Sequence, residues 1–343
     1  MKNSLKRSAG MLLPTLLAPA LLAAQSITGA GASFPYPMYS KWFDSYHTAH
    51  PAVQINYQSI GSGGGIRQVT EGTVDFGATD GPMTDAQLAD FKTKRNTEVL
   101  HFPTVLGAVV PIYNVPGVTT QLKFTSAALS GIFLGKVTKW NDAAIAVSNK
   151  GVKLPPTDIV VAHRSDGSGT TYVWTDYLSK VSADWKAKVG TNTSPSWPVG
   201  LGGAQNAGVA GLVKQTEGAI GYVELIYAVQ SKIDYGSVQN LSGDFVSASL
   251  AGVSAAAAGA ASNMPEDFRV SITNAPGKAA YPISSFTWLL IPAKMANPAK
   301  KKAMVDFLKW MLAEGQNMAE PLSFAKLPKE VVAKELKALA RIQ

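Results

Sequence analysis

Hydrophobic and polar residues follow two different periods along the chain, and the two periods alternate. Apolar and polar positions alternate through QINYQSI (54–60) and TVDFGAT (73–79), as in half-buried strands. Short apolar runs typical of buried strands occur in LGAVVPIY (106–113), DIVVAH (158–163) and FTWLLIP (286–292). Segments with helical spacing lie between these runs. The succession predicts an α/β architecture.

Apolar residues three or four positions apart predict the helices. In the segment YPMYSKWFDSYH, one helical face comprises Tyr39, Trp42, Phe43 and Tyr46. In the segment TTYVWTDYLSKV, one helical face comprises Val173, Trp174, Tyr177, Leu178 and Val181. Two late helices are predicted in MVDFLKWML (304–312) and PKEVVAKELKALARI (328–342). The small-residue segment 246–262 fits either a helix or a mobile surface segment, and KLPPTD (153–158) predicts a stiff connector.

The first 24 residues differ from the rest of the chain. A positively charged start, MKNSLKR, precedes an apolar stretch, MLLPTLLAPALLAA, and the small residues of LLAAQS. This order is typical of a secretory signal peptide. The apolar stretch is short for a membrane span and contains two prolines, which argues against an anchor. We therefore expect residues 1–24 to be a cleavable leader.

Composition excludes several classes of protein. The length of 343 residues suits two domains, and 46% hydrophobic with 16% charged residues is typical of a globular chain. The sequence contains no cysteine, so disulfides, thiolate zinc sites, cysteine nucleophiles and a lipid-acceptor cysteine are excluded. The net charge is +8, of which three charges lie in the leader, and the remaining +5 would attract small anions or serve only solubility. The densest basic run, AKKKAM (299–304), fits a helix start, so no nucleic-acid partner is expected.

Three segments share one pattern, a strand followed by glycines and hydroxyl residues and then a helix. They are SITGAGASFPYP (26–37), INYQSIGSGGGIRQ (55–68) and IVVAHRSDGSGTTYVW (159–174). The residues between strand and helix are Gly29, Gly31 and Ser33 in the first, Gly61, Ser62, Gly63, Gly64 and Gly65 in the second, and Gly167, Ser168, Gly169 and Thr170 in the third.

Such a turn suits an oxyanion. The first N–H groups of a helix have no partner inside it, the helix dipole makes that end positive, and glycine lets the backbone approach a ligand closely. Serine and threonine add donors, and ligands of open α/β sheets lie at the carboxyl ends of strands. For each turn alone the alternative is a helix N-cap. Three such turns in one exported chain favour an anion site.

Charged residues near these turns refine the hypothesis. Arg164 precedes the third turn, where its planar fork could hold two oxygens of an anion. Alternatively it forms a surface salt bridge with Asp166, which could also orient it. Asp80 follows a predicted strand and precedes Gly-Pro, a position typical of a turn former or helix cap. Beside an anion its charge is repulsive unless the anion has a proton to donate.

Enzymatic alternatives fit the sequence poorly. A serine nucleophile in DGSGT, with His163 as base, lacks the glycine two residues before Ser168, since Asp166 stands there. The segment GAGASF lacks the third glycine of a dinucleotide site, and no phosphate-binding P-loop motif occurs. HTAH (47–50) has a metal-like spacing without an acidic companion motif. No catalytic residue, cofactor or metal is therefore predicted.

Several long motifs occur in a recognisable order. They are ITGAGASFPYPMYSKW, YQSIGSGGGIRQ, VDFGATDGPM, FPTVLGAVV, RSDGSGTTYVWTDYL, and WPVGLGG followed by GAIGYVELIYA. In these motifs, and over essentially all of the chain after the leader, the sequence resembles the periplasmic phosphate-binding proteins of bacterial phosphate ABC importers.

The resemblance implies a two-lobed periplasmic-binding-protein fold of type II, with the ligand cleft between lobes. Lobe I would comprise residues 25–104 and 281–343, and lobe II residues 105–280. It implies high-affinity binding of inorganic phosphate and delivery to inner-membrane ABC permease subunits, without catalysis, cofactor or stable homo-oligomer. The alternatives are a protein for another tetrahedral oxyanion and a secreted phosphate-ester hydrolase. The implied phosphate ligands are Ser33, the Phe34 amide, Ser62, Asp80, Arg164, Ser168, Gly169 and Thr170, with Asp166 supporting Arg164.

The sequence departs from the family pattern at two positions. Ser33 stands where the family often has threonine, and the hydroxyl group is retained. Gly63 follows Ser62 where many members have a second serine. Because Ser62 matches the direct ligand, only a secondary donor is affected.

Overall fold

The structure, a computed structural model, describes residues 25–343. The signal peptide predicted at residues 1–24 lies outside the described residues. Within residues 25–343, no helix has both the length and the apolar character needed to cross a bilayer. Strands and helices alternate along this range, so the predicted α/β class is confirmed.

The described range contains strands β1 (Gln25–Gly31), β2 (Val53–Ser59), β3 (Phe76–Thr79), β4 (Val99–Tyr113), β5 (Lys123–Phe124), β6 (Val160–Arg164), β7 (Leu201–Gly203), β8 (Ala219–Glu224), β9 (Asp234–Tyr235), β10 (Ser237–Gln239), β11 (Phe245–Val246) and β12 (Ser284–Pro292). Its α-helices are α1 (Tyr36–Ala49), α2 (Ser62–Glu71), α3 (Asp85–Arg95), α4 (Ser126–Phe133), α5 (Ala143–Ala146), α6 (Gly169–Val181), α7 (Ala183–Lys188), α8 (Gln205–Gln215), α9 (Leu225–Ser231), α10 (Leu250–Ala261), α11 (Pro298–Leu312) and α12 (Lys329–Ala338). Short 3₁₀ turns are formed by Gly315–Met318, Glu320–Leu322 and Leu339–Arg341.

One sheet runs through the molecule in the order β2-β1-β3-β12-β4-β8-β6-β7, with β9 beside the end of β4. Strands β1, β2 and β3 are mutually parallel, as are β6, β7 and β8. Strand β4 pairs with β12 from Val99 to Ala108 and with β8 from Val109 to Tyr113. We call β2, β1, β3 and β12 the first strand group and β8, β6 and β7 the second. Strand β4 joins the two groups.

The predicted helix faces are the buried ones. Helix α1 buries Met38 as well as the four predicted aromatic residues, and α6 buries four of its five predicted apolar residues, with Val181 half-buried. The small-residue segment forms helix α10, which decides between the two alternatives left open by the sequence.

Two strands differ in length from their prediction by three residues or more. Strand β3 begins only at Phe76, because the Asp75 side chain, instead of a backbone carbonyl, accepts the Thr28 N–H at 2.8 Å. Strand β4 begins at Val99, seven residues before the predicted run, and is buried throughout. Its polar residues are paired: His101 Nε2 accepts the Met83 N–H at 3.2 Å. Satisfied polar groups thus interrupt the apolar pattern of a buried strand.

Glu335 on α12 is fully buried, and neither of its carboxylate oxygens has a hydrogen-bond partner in the described range. Burial raises its pKa well above the ordinary value of 4.5, because a buried carboxylate without partners disfavours the charged form. A raised folded pKa contributes full stability below pH 4.5 and loses it as the pH rises toward the folded value.

We expect Glu335→Gln to raise the free energy of unfolding at pH 8 by about 1–3 kcal/mol relative to the wild type, and by much less at pH 5. Urea unfolding of both proteins at the two pH values measures this difference. Glu330→Gln, at an exposed position of the same helix, is the matched control and should show no such pH dependence. An equal effect of Glu335→Gln at both pH values would contradict the prediction.

Candidate functional site

The predicted site residues lie where turns of the two strand groups meet. The turns after β2 and β3 contact the turn after β6, where Gly63 donates its N–H to Gly167 O at 2.8 Å. The turn after β1 reaches the same region through Ser33, whose hydroxyl oxygen accepts from Asn206 at 3.0 Å. The structure brings all nine predicted residues into this region. Eight of them are buried and Asp166 is half-buried, the buried ones being Ser33, Phe34, Ser62, Asp80, Arg164, Ser168, Gly169 and Thr170.

Ser62 is the first residue of α2, and its hydroxyl oxygen joins both sides of the site. It accepts the N–H of Asp80 at 3.2 Å and the N–H of Gly169 at 3.0 Å. Its own O–H donates to Asp80 Oδ2 at 3.4 Å. Gly169 begins α6, so this serine links the end of β3 to the helix that follows β6.

Asp80 follows β3 and is fully buried. Its Oδ1 accepts the Thr287 hydroxyl at 2.8 Å. Burial raises the pKa of Asp80 to about 7, although the Thr287 hydrogen bond and the Arg164 charge act in the opposite direction. Its protonation state therefore changes near neutral pH, and the ionised form is an acceptor among many donors.

Arg164 ends β6 with its guanidinium held by two neighbours. Nε donates to Asp166 Oδ1 at 2.8 Å, Nη2 donates to Asp166 Oδ2 at 2.5 Å, and Nη1 donates to Thr170 Oγ1 at 3.3 Å. Two of its five N–H groups have no acceptor within residues 25–343. Burial alone would raise the pKa of Asp166, but the hydrogen bonds and charge of Arg164 hold it below its usual range. The carboxylate thus fixes the guanidinium, as the sequence suggested.

The start of α6 serves as a cap and as part of the site at once. Ser168 is the N-cap residue, and its Oγ accepts the Thr171 N–H at 3.0 Å while its O–H stays available. A side chain at Gly169 would place a Cβ 2.5 Å from Asp80 Oδ2 and 2.5 Å from Ser62 Oγ. Only glycine lets the helix start come this close to the carboxylate.

Several backbone donors in this region are unpaired. The N–H groups of Phe34, Ser62 and Thr170 have no acceptor among residues 25–343, although all three residues are buried. Buried N–H groups without a partner are costly and rare. Together with the two unpaired N–H groups of Arg164, they are donors that an acceptor-rich anion could satisfy.

The second predicted loop is in fact largely helix. Ser62 and the three glycines after it form the first turn of α2, with Gly61 as N-cap. A Cβ at Gly65 would lie 2.5 Å from Gly31 Cα and 2.6 Å from Ala30 O. The glycine run therefore lets α2 pack directly against β1, which the prediction that these glycines lie in the turn before the helix did not include.

Sequence reasoning missed four polar residues at the site. Asn206 donates to Ser33 and Thr170, Gln205 N–H donates to Asp166 Oδ1 at 2.9 Å, and the Tyr227 hydroxyl donates to Ser33 O at 2.6 Å. Thr287 holds Asp80. The segment LGGAQN (201–206) is a fourth strand-to-helix turn, between β7 and α8, and could have indicated the first two. No comparable signal marks Thr287 or Tyr227.

The geometry does not support a serine nucleophile. His163 Nδ1 lies 3.0 Å from Arg164 O, its ring stacks on Trp197 at 4.7 Å, and it makes no hydrogen bond to Ser168 in the described part of the chain. His47 Nδ1 lies 2.8 Å from Val53 O. No cluster of three or more potential metal ligands occurs among residues 25–343.

Comparisons with known proteins agree over most of the chain. A family model of the PBP superfamily domain matches residues 18–314. The phosphate-binding protein PstS of Xylella fastidiosa (strain Temecula1) is 47% identical over 307 residues, covering 89% of this chain and 82% of that protein. The phosphate-binding protein PstS of Pasteurella multocida is 45% identical over 312 residues, covering 91% and 89%.

Solved structures agree in fold. The periplasmic phosphate-binding protein PfluDING, bound with phosphate, matches with a TM-score of 0.72 at 23% identity over 91% of this chain and 93% of that one. The phosphate-binding protein of Stenotrophomonas maltophilia matches with a TM-score of 0.71 at 20% identity over 92% and 94%. The expected two-lobed periplasmic-binding-protein fold is confirmed.

Proposed function

From the premise that this chain belongs to the PstS family of phosphate-binding proteins, in the PBP superfamily, we propose that it binds inorganic phosphate and delivers it to an ABC transporter. The observation that supports this best is local. Unpaired buried donors from both strand groups, including two N–H groups of Arg164, converge beside one carboxylate, Asp80. Phosphate offers many acceptor oxygens and, near neutral pH, a proton as well, which matches that set.

We propose that all eight predicted ligands contact the anion and that Asp166 holds Arg164. Arg164 supplies charge and a two-pronged donor, the hydroxyls and the free backbone N–H groups surround the remaining oxygens, and Asp80 accepts the P–OH proton. The Gly169 N–H, bonded to Ser62 Oγ at 3.0 Å, would exchange that partner for a phosphate oxygen. His163 makes no hydrogen bond to Ser168 in the described part of the chain, and the relatives are named phosphate-binding proteins, so we propose binding without turnover.

We further propose that the lobes are those inferred from the sequence, residues 25–104 with 281–343, and residues 105–280. The change of partner along β4, from β12 to β8 between Ala108 and Val109, supports a boundary near residue 104. The cleft between the lobes would hold the phosphate.

The proposed setting is the periplasm, reached through removal of residues 1–24, with inner-membrane permease subunits as partners and a monomer in solution. Relatives in this family are named phosphate-binding proteins and a structural neighbour is named periplasmic, which supports this setting. Mass spectrometry of the exported protein tests it, because a chain that retains Met1 would not have been processed.

Isothermal titration calorimetry of the purified protein against phosphate, sulfate and a phosphate monoester tests the proposed function. We expect phosphate to bind with a Kd of about 1 μM or lower, equivalent to about −8 kcal/mol. Tighter binding of sulfate would favour the alternative of another oxyanion. Release of phosphate from the monoester would favour the alternative of a hydrolase, and either result would overturn the proposal.

Closure of the two lobes should accompany phosphate binding. Without an anion the closed form leaves donors of Arg164 and of the backbone buried and unpaired, which favours a more open ligand-free state. We expect small-angle X-ray scattering to show a smaller radius of gyration with phosphate, toward the roughly 20 Å of a compact chain of this length. Sulfate at the same concentration is the control and should leave the profile unchanged. Superimposable profiles with and without phosphate would exclude a closing cleft.

A further inference from the structure

Asn206 is a fully buried residue at the start of α8 that contacts both strand groups. Its Nδ2 donates to Ser33 Oγ at 3.0 Å, in the turn after β1, and to Thr170 Oγ1 at 3.1 Å, on α6. Both hydroxyls belong to the proposed phosphate site. One carboxamide thus connects two of the proposed phosphate ligands across the cleft.

The orientation of this carboxamide follows from its third partner. Asn206 Oδ1 accepts the backbone N–H of Glu224 at 2.9 Å. A backbone N–H can only donate, so the oxygen must face Glu224 and the NH₂ group must face the two hydroxyls. Both amide hydrogens are therefore committed to Ser33 and Thr170.

This commitment restricts the directions in which both hydroxyl groups can donate. A hydroxyl has one proton and two lone pairs, and Asn206 occupies a lone pair on each oxygen. On Thr170 the second lone pair faces Arg164 Nη1 at 3.3 Å. Both residues are buried, with Ser33 2% and Thr170 0% exposed, so water does not compete for their protons. The Thr170 hydroxyl can therefore only donate to a further partner, whereas Ser33 keeps one lone pair but must also direct its proton away from Asn206. A hydroxyl that accepts becomes a stronger donor.

We propose that Asn206 is a positioning residue that makes Thr170 an obligate donor to the anion and biases Ser33 toward donation, so that Asp80 is the acceptor for the ligand proton. This inference rests on the proposed function, since it assigns a role within the phosphate site. Free hydroxyls could rotate to accept a proton from the ligand, and Asn206 removes that freedom from Thr170, together with Arg164, and reduces it on Ser33. Selection for an anion with a proton at one defined oxygen then depends on Asn206 as well as on Asp80.

The sharpest test is the near-isosteric Asn206→Asp, measured by phosphate calorimetry at pH 8 and pH 5.5. An aspartate would keep the Glu224 N–H but offer acceptor oxygens to Ser33 and Thr170, which turns their protons away from the anion. We expect phosphate affinity to fall by about 30-fold or more at pH 8. Protonation of the new carboxyl restores one donor, so the loss relative to wild type should shrink by about tenfold at pH 5.5.

The groups around position 206 make that pH dependence interpretable. Arg164 contacts Thr170, Asp166 accepts from the neighbouring Gln205, and Asp80 and Glu224 are buried carboxyls close by. These four groups are present in both proteins, so the ratio of variant to wild-type affinity isolates the new carboxyl. Asn149→Asp, which buries an aspartate against Lys123 O and Ile145 O, is the control and should alter stability but not phosphate affinity.

A second variant keeps the inference testable if Asn206→Asp does not fold. Asn206→Ala should weaken phosphate binding by about tenfold in the wild type and by clearly less in a Thr170→Val background, because part of its effect acts through that hydroxyl. Equal losses in both backgrounds, or wild-type affinity of Asn206→Asp at pH 8, would overturn the inference. If the wild type itself does not bind phosphate, the proposed function fails instead.

Discussion

Replacing Arg164 by alanine is expected to weaken phosphate binding by about 2–5 kcal/mol, or roughly 30- to 5000-fold in Kd. The guanidinium is 3% exposed, and two of its N–H groups have no acceptor among residues 25–343. The substitution removes both the charge and the two-pronged donor from a region that excludes water. It also leaves the Asp166 carboxylate without its partner, which adds a negative charge facing the anion.

Calorimetry with Arg164→Ala, Arg164→Lys and Arg67→Ala measures this effect. Lysine restores the charge, but it cannot contact Asp166 and Thr170 and also present two parallel donors to the anion. The phosphate affinity of Arg164→Lys should therefore lie between those of the wild type and Arg164→Ala. Arg67 is exposed on α2, and its removal should change Kd by less than about twofold. A loss below tenfold for Arg164→Ala would show that Arg164 does not contact the anion.

Asp80→Asn should abolish most of the discrimination between phosphate and sulfate. Phosphate near neutral pH can donate a P–OH proton to the carboxylate, whereas sulfate has none and would face a like charge in a buried site. At pH 9, where Asp80 is ionised, we expect the wild type to prefer phosphate by about 3 kcal/mol, because protonating Asp80 to accommodate sulfate costs about 1.4 kcal/mol for each pH unit above its pKa of about 7. Asparagine can donate to either anion, so the variant should keep useful phosphate affinity while its preference falls to about tenfold or less.

The pH dependence of sulfate binding provides an independent check on Asp80. Because burial raises the pKa of Asp80 to about 7, acidification through that value converts the carboxylate into a neutral donor. Sulfate affinity of the wild type should therefore rise by up to tenfold per pH unit as the pH falls toward about 7 and level off below that value, and Asp80→Asn should show no such rise. Asp75→Asn, at the opposite end of β3, is the matched control. Comparable sulfate and phosphate binding by the wild type, or unchanged discrimination in Asp80→Asn, would show that Asp80 is only a turn former.

The local parts of the site could be predicted from the sequence because they are encoded locally. Around Ser62 and around Ser168, a strand, glycine and hydroxyl residues, and a helix follow one another within about a dozen residues. Arg164 lies only two positions from Asp166, which holds it. The helix faces of α1 and α6 follow from one period of apolar residues.

The remaining parts depend on residues that are distant in sequence. Thr287 contacts Asp80 across 207 positions, and Asn206 contacts Ser33 across 173. From sequence alone, a polar residue in a buried strand or at a helix start is predicted to be a turn, a cap or a surface position, because its hydrogen-bond partner is known only from the fold. The same reasoning applies to His101 in β4, whose polarity hid the first half of that strand.

Strand β4 has a consequence for how the protein unfolds. Its fifteen residues are buried along their whole length, and its two halves supply ladder partners to different strand groups. Unfolding of either part of β4 would leave an unpaired strand edge on the other part. It would also expose apolar side chains of a core that is continuous across both strand groups. Because the two lobes share strand β4, they cannot unfold one after the other as independent cooperative units. Heating should give a single calorimetric transition, and isolated lobes cut near residue 104 should not fold independently.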